Sequence, residues 1–276
     1  MDSLDRRIFH LAVPALGALV AEPLFLLTDT AMVGHLGADS LAALGVASTI
    51  ITTLVGLLIF LAYATTPLVA RRLGAGDRTG ALSAGVDGVW LAAGLGLAIG
   101  VLGYALTPTL IGFFPSTTAV SFGAAAYVGI SWWGLPGMLI VLAATGVLRG
   151  LQDTKTPLVV AVAGFAANAG LNALLIYGLG WGLEGSAWGT VIAQWAMAWV
   201  FVALIIKQAR EQKARLLPGR LGLIEAARSG SWLLLRTLSL RLALVATVFV
   251  ATSMGTKELA AWHIMFTLFS LLALAL

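Results

Sequence analysis

The 276-residue sequence contains no cysteine and only three histidines, and 10% of its residues are charged. Without thiols there is no disulfide framework, no thiol nucleophile and no thiolate metal site. His10, His35 and His263 lie on separate segments without metal-ligand spacing. No serine sits in a G-x-S-x-G elbow, and Gly74-Ala75-Gly76 lacks the strand, helix and lysine context of a phosphate loop. An enzyme is therefore not expected, and the glycine pair reads as a turn. The scarcity of charge has a second meaning. Soluble domains carry about 25% charged residues, whereas here 60% of residues are hydrophobic and the mean hydropathy is +0.99. Lipid is the expected solvent. The 32 glycines and nine tryptophans fit, since glycine lets membrane helices approach closely and tryptophan settles at interfaces.

The few charges punctuate long apolar stretches. Between Arg7 and Arg71 the only formal charges are Glu22, Asp29 and Asp39; between Arg78 and Arg149 there is only Asp87; between Lys155 and Lys207 only Glu184. A spanning helix needs about 20 apolar residues, so each gap holds two spans. Helices are predicted over about 9–35, 42–70, 82–107, 121–148, 157–178, 185–206 and 232–253, with another starting near 260. The first stretch is too long and too proline-punctuated for a cleaved signal peptide.

With a cytoplasmic N-terminus, thirteen of the sixteen Lys and Arg fall on the inner side, and Lys257 alone falls in an outer turn. Arg236 and Arg241 lie within the seventh span. This positive-inside asymmetry explains the net charge of +4 as topology and argues against a nucleic-acid partner. The expected location is the inner (plasma) membrane, multi-pass. Residues 207–231, rich in arginine and broken by Pro218-Gly219, read as a cytoplasmic linker between a six-helix lobe over 1–206 and the incomplete start of a second lobe over 232–276. An internal match supports that division. Gly37-Ala38-Asp39-Ser40-Leu41-Ala42-Ala43 agrees with Gly255-Thr256-Lys257-Glu258-Leu259-Ala260-Ala261 at four of seven positions, and the even number of spans between them makes the repeats parallel. The chain is expected to be the N-terminal portion of a longer protein, an all-α polytopic bundle.

Three stretches resemble one family. Leu27-Thr28-Asp29-Thr30-Ala31-Met32-Val33-Gly34-His35-Leu36-Gly37, Trp133-Gly134-Leu135-Pro136 and Leu148-Arg149-Gly150-Leu151-Gln152-Asp153-Thr154-Lys155-Thr156-Pro157 look like signatures of the multidrug and toxic compound extrusion (MATE) transporters, and are most similar to its DinF-like branch. The resemblance implies twelve helices in two six-helix lobes, of which this chain would hold seven to eight. It also implies export of amphipathic, often cationic compounds against an inward flow of protons or sodium.

Asp29 is the foremost candidate for coupling. It lies eight residues before Gly37, about 12 Å below the outer end of its helix, where an ionised Asp costs about 2.5–3.5 kcal/mol. Such a carboxyl can take up a proton from one side and release it on the other; the plain alternative is a cap or hydrogen bond to a neighbouring helix. Glu22, seven residues earlier on the same face, is a second relay point, a partner for a cationic substrate, or a residue in a wet cavity. Pro14 and Pro23 are candidate kinks in this helix. Asn168 and Asn172, spaced i, i+4, share a face that should look inward. The family often carries an acid at the second position, so Asn172 removes a titrating group, unless the pair serves only as interhelical glue. Trp188, Trp195 and Trp199 form one stripe with Gln194 beside it, either stacking on an aromatic cation or packing. Asp87 has no family counterpart and reads as partnered or cavity-facing. Arg241 should pair with an acid or carbonyls, and Arg236 can snorkel. Some sodium-coupled members carry a Glu in the seventh helix; none stands there here, which favours protons.

The leading expectation is a proton-coupled antiporter with a small-molecule substrate, needing no cofactor beyond its coupling ion (H+, or alternatively Na+) and functioning as a lipid-embedded monomer of the full-length chain. The alternatives are a flippase for lipid-linked precursors, for which a basic cavity would be expected, and a membrane scaffold.

Overall fold

A computed structural model describes residues 13, 17, 27–114, 116–254 and 265. Expectations for Pro14, Glu22, Pro23, His10, His263, the turn at Lys257 and a helix near 260 fall outside the described residues, as does the side chain of Arg241. The described residues are helical, with no strand among them. We label the helical residues 27–34 α1, followed by α2 (Ala38–Leu58), α3 (Phe60–Gly74), α4 (Arg78–Gly112), α5 (Thr118–Gly150), α6 (Lys155–Asn172), a π-helix (Ala173–Gly178), α7 (Gly182–Glu211) and α8 (Arg220–Met254). Five helical segments are long and apolar enough to cross a membrane: Ala38–Gly74, Arg78–Gly112, Thr118–Gly150, Lys155–Gly178 and Gly182–Glu211. The protein is a multi-pass membrane bundle. The span expected over 42–70 is broken at Ile59 into α2 and α3, and the helix expected to end at 178 does so through a π turn, with the Leu179 N–H donating to Leu174 O.

Helix ends are built from local chemistry. The Asp77 carboxylate accepts from the Gly80 N–H and starts α4, and the Thr117 hydroxyl accepts from the Val120 N–H and starts α5. The C-termini of α3, α5 and α7 close alike. Asp77 N–H donates to Arg72 O, Asp153 N–H to Leu148 O and Ala214 N–H to Ala209 O, wrapping around Gly76, Gln152 and Lys213, each at positive φ. Part of the MATE-like stretch 148–157 is thus a connector: Gln152 turns the chain, and the Asp153 carboxylate accepts from both the N–H and the hydroxyl of Thr156 in the first turn of α6.

The chain divides into two compact units, Met1–Gly230 and Ser231–Leu276. In the first, Val69, Leu82, Val86, Val147, Leu148, Phe201 and Ile205 form an apolar core from α3, α4, α5 and α7. Helices α4 and α5 approach closely enough that a Cβ at Gly96 would press on the Pro136 backbone, and one at Gly100 on the Trp132 carbonyl. In the second unit Arg236 is exposed on α8. The 207–231 stretch is mostly helical. The left-handed turn at Lys213 stops α7 two residues after Glu211, and α8 begins at Arg220 directly after Pro218-Gly219, leaving only 212–219 between helices.

Candidate functional site

α1 places Asp29 against α6 and α7, where it is 7% exposed. Its Oδ1 accepts two hydrogen bonds, from Asn172 Nδ2 at 2.7 Å and from the Ser186 hydroxyl at 2.7 Å. Asn172 Nδ2 also donates to Asn168 Oδ1 at 3.2 Å, and Asn168 Nδ2 donates to the Thr190 hydroxyl at 3.1 Å. Tyr127 of α5, itself buried, sets its phenol beside Ser186 and Thr190. Five side chains from three helices therefore share one network, a carboxyl, two amides and two hydroxyls, with the Tyr127 phenol of a fourth helix beside it. The Tyr177 hydroxyl donates to Met32 O at 2.6 Å and ties the π-helix to α1 beside it.

Close helix approach makes this packing possible. A Cβ at Gly189 would overlap Asn172 Oδ1, and one at Gly185 would press on the Leu175 backbone. Gly185 and Gly189 are four apart on α7, the small-residue spacing that lets membrane helices touch. Asn172 Oδ1 is itself buried with no hydrogen-bond partner among the described residues, so the network keeps one unused oxygen beside the carboxyl.

Of the residues singled out in the sequence, Asp29, Asn168 and Asn172 come together. Trp188 and Trp195 stand about half a turn around α7 from Ser186 and Thr190. Trp188 and Trp199 are exposed; the Trp195 indole donates to Trp133 O; and Gln194 packs so tightly on α5 that a Cβ at Gly134 would meet its Oε1. These residues lie against α5 or on the outer surface, apart from the Asp29 network. Asp87 is partnered, as expected: Arg215 Nη2 donates to its Oδ2 and the Gly219 N–H to its Oδ1, both at 2.8 Å. His35 Nδ1, just past the end of α1, donates back to Ala31 O. Sequence reading missed Ser186, Thr190 and Tyr127. Ser186 and Thr190 share the i, i+4 spacing that drew attention to the asparagines; Tyr127 has no such signal.

Membrane-length helices packed around a buried carboxyl with an amide and hydroxyl shell define a polytopic helical membrane protein. The comparisons sharpen this to a family: residues 14–174 match MatE, and the chain belongs to it. It is 29% identical over 277 residues to Protein DETOXIFICATION 44, chloroplastic, of Arabidopsis thaliana, covering 96% of this chain and 53% of that protein. It is likewise 29% identical over 286 residues to DNA damage-inducible protein F of Escherichia coli, covering 100% of this chain and 61% of the relative. Among solved structures, an outward-facing multidrug resistance MATE transporter of the MOP superfamily superposes with a TM-score of 0.82 at 26% identity, covering 95% of this chain and 60% of that one. A MOP superfamily transporter from Pyrococcus furiosus, described as having a binding pocket of reverse polarity, gives 0.80 at 26% identity, covering 94% and 60%. The chain spans little more than half the length of these relatives.

Proposed function

We propose that the complete protein is a secondary antiporter of the inner membrane, exporting small amphipathic or cationic compounds in exchange for protons, with its N-terminus in the cytoplasm. One observation carries this reading: the buried Asp29 carboxyl is held by neutral donors, Asn172 and Ser186. A carboxylate in a low-dielectric interior needs a counter-charge or a proton, and an amide and a hydroxyl supply neither. A proton arriving from outside would neutralise the carboxyl; its loss would strengthen the bonds that Asn172 and Ser186 donate to it, and with them the ties of α1 to α6 and α7. That difference is what a coupling site must convert into a preference between inward- and outward-open arrangements of two lobes. With Asn172 replacing an acid, titration in this lobe rests on Asp29, with Glu22 as a further candidate.

The unused Asn172 Oδ1 beside Asp29 favours a second reading in which Na+ occupies the same oxygen-rich pocket. The deciding measurement is efflux from proteoliposomes of the complete protein under separate proton and sodium gradients. Asp29→Asn should abolish pH-driven efflux. Intact pH-driven efflux in that variant overturns the proton assignment, and efflux that follows a sodium gradient at fixed pH selects the second reading.

A further inference from the structure

Asp87 takes no part in the Asp29 network, yet it is a carboxyl only 1% exposed. Its surroundings explain its burial. Oδ2 receives Arg215 Nη2 and Oδ1 receives the N–H of Gly219, the residue that opens into α8. Asp87 thus caps a helix on another part of the chain, where a negative charge meets the positive end of the helix dipole. A Cβ at Gly222 would strike Asp87 Oδ2, so the first turn of α8 is seated directly on the carboxylate.

Asp87 does not act alone. Thr79, Ser83, Asp87 and Trp90 recur at helical spacing on α4, and each engages the 212–219 segment. Thr79 donates to Gln212 O at 3.1 Å, the Arg215 N–H donates to the Ser83 hydroxyl at 3.3 Å, and the Trp90 indole donates to Leu216 O at 3.1 Å. The segment therefore runs alongside α4 for about 16 Å. Ala214 is buried in the apolar core, Leu216 packs against it, and Arg72 of α3 pairs with Glu225 of α8 at 2.6 Å. Four side chains of one helix contact Gln212, Arg215, Leu216 and Gly219 of a segment that sequence composition marks as a linker.

We infer that the stripe on α4 is a docking site for the chain's own 212–219 segment, fastened by Asp87, and that this strap stays fastened throughout the working cycle. The segment and the first turns of α8 then belong to the first lobe. The statement about the cycle rests on the antiporter reading; the docking does not.

The test uses the complete protein in a cysteine-free background. A cysteine at the buried Ala214 should react slowly with a membrane-impermeant maleimide, while one at Leu217, 72% exposed, reacts fast and serves as the control. Asp87→Ala should speed labelling of Ala214→Cys at least tenfold, with Asp87→Asn, which keeps an acceptor for Gly219, in between. Equal labelling in all three backgrounds overturns the docking. If Asp87→Ala does not accumulate, Arg215→Gln removes the ion pair from its exposed end and should speed labelling about threefold; no change there overturns the role of the pair. For the cycle, Thr79→Cys and Gln212→Cys joined by a short bis-thiosulfonate should leave efflux within twofold of the unjoined protein. Efflux lost on joining and restored by reduction shows that the strap must release and overturns the fastened cycle. Absence of efflux even before joining is a failure of the antiporter reading, and the labelling result stands apart from it.

Discussion

Gly189 offers a direct measure of how tightly the Asp29 network is held. Its Cα lies where any Cβ would overlap Asn172 Oδ1, and Asn172 is fully buried and bonded to both Asp29 and Asn168. In Gly189→Ala the amide must swing away or α7 must retreat from α6. Losing the bond to the carboxyl costs about 1.5–3 kcal/mol, and overpacking adds about 1–3 kcal/mol. Alanine recovers about 1 kcal/mol of helix propensity. The net is a loss of about 1.5–5 kcal/mol, which thermal unfolding of the complete protein in detergent will register as a lowered Tm. Gly170→Ala on α6 is the matched control, because nothing lies within 4 Å of its Cβ; it should be neutral or stabilising by up to about 1 kcal/mol. The same variants report on function: a displaced Asn172 should alter the pH profile of efflux, and Gly170→Ala should not. If Gly189→Ala is as stable as Gly170→Ala and retains the wild-type profile, the amide is not locked against the carboxyl and the reasoning is refuted.

Other outcomes follow from the same contacts. Tyr127→Phe removes the buried phenol beside Ser186 and Thr190 and should lower stability by about 1–3 kcal/mol in thermal unfolding while shifting the pH profile of efflux; an unmoved profile would detach Tyr127 from the coupling site. Thr107→Val leaves the buried Trp132 indole, which donates to the Thr107 hydroxyl at 2.9 Å, without its acceptor. The expected loss is about 1–3 kcal/mol with normal ion coupling, since this contact lies outside the Asp29 network. At Lys213, φ is +51°, so Lys213→Gly should stabilise by about 1 kcal/mol; a fall in Tm would contradict the left-handed stop of α7.

Much of this was legible because membrane burial is priced locally. Each helix in lipid closes its own backbone hydrogen bonds and is selected by its own apolar length, so charges spaced along the chain were enough to mark the five spans found among the described residues. Asp29, Asn168 and Asn172 stood out for the same reason: a carboxyl or amide inside an apolar run is an anomaly visible one helix at a time. Hydroxyls are not anomalies in such runs. Ser186 and Thr190 blended into α7, and Tyr127 into α5, until packing showed them meeting Asn168 and Asp29. The tryptophan stripe shows the opposite limit. Its regular spacing is visible along α7, but spacing does not say which neighbour a face meets, and Trp195 and Gln194 meet α5.

The amino-acid sequence by itself determined that this chain is a bundle of membrane helices with a few intolerable polar groups needing partners, because transfer free energy and helix length are properties of short segments. Which partners those groups found was decided only by tertiary structure. Asp29 lies 143 residues from Asn172 and 157 from Ser186, and Asp87 lies 132 from Gly219. Such pairs exist where helices cross, and the crossings depend on glycines such as Gly189 whose worth lies in the neighbour that occupies the space a side chain would have taken. The segment between Glu211 and Arg220 is the plainest case. Composition marked 207–231 as a cytoplasmic linker; only the structure shows that a stripe of side chains on α4 holds 212–219 against the bundle, where a buried carboxylate offsets an arginine and a helix N-terminus once they are brought together.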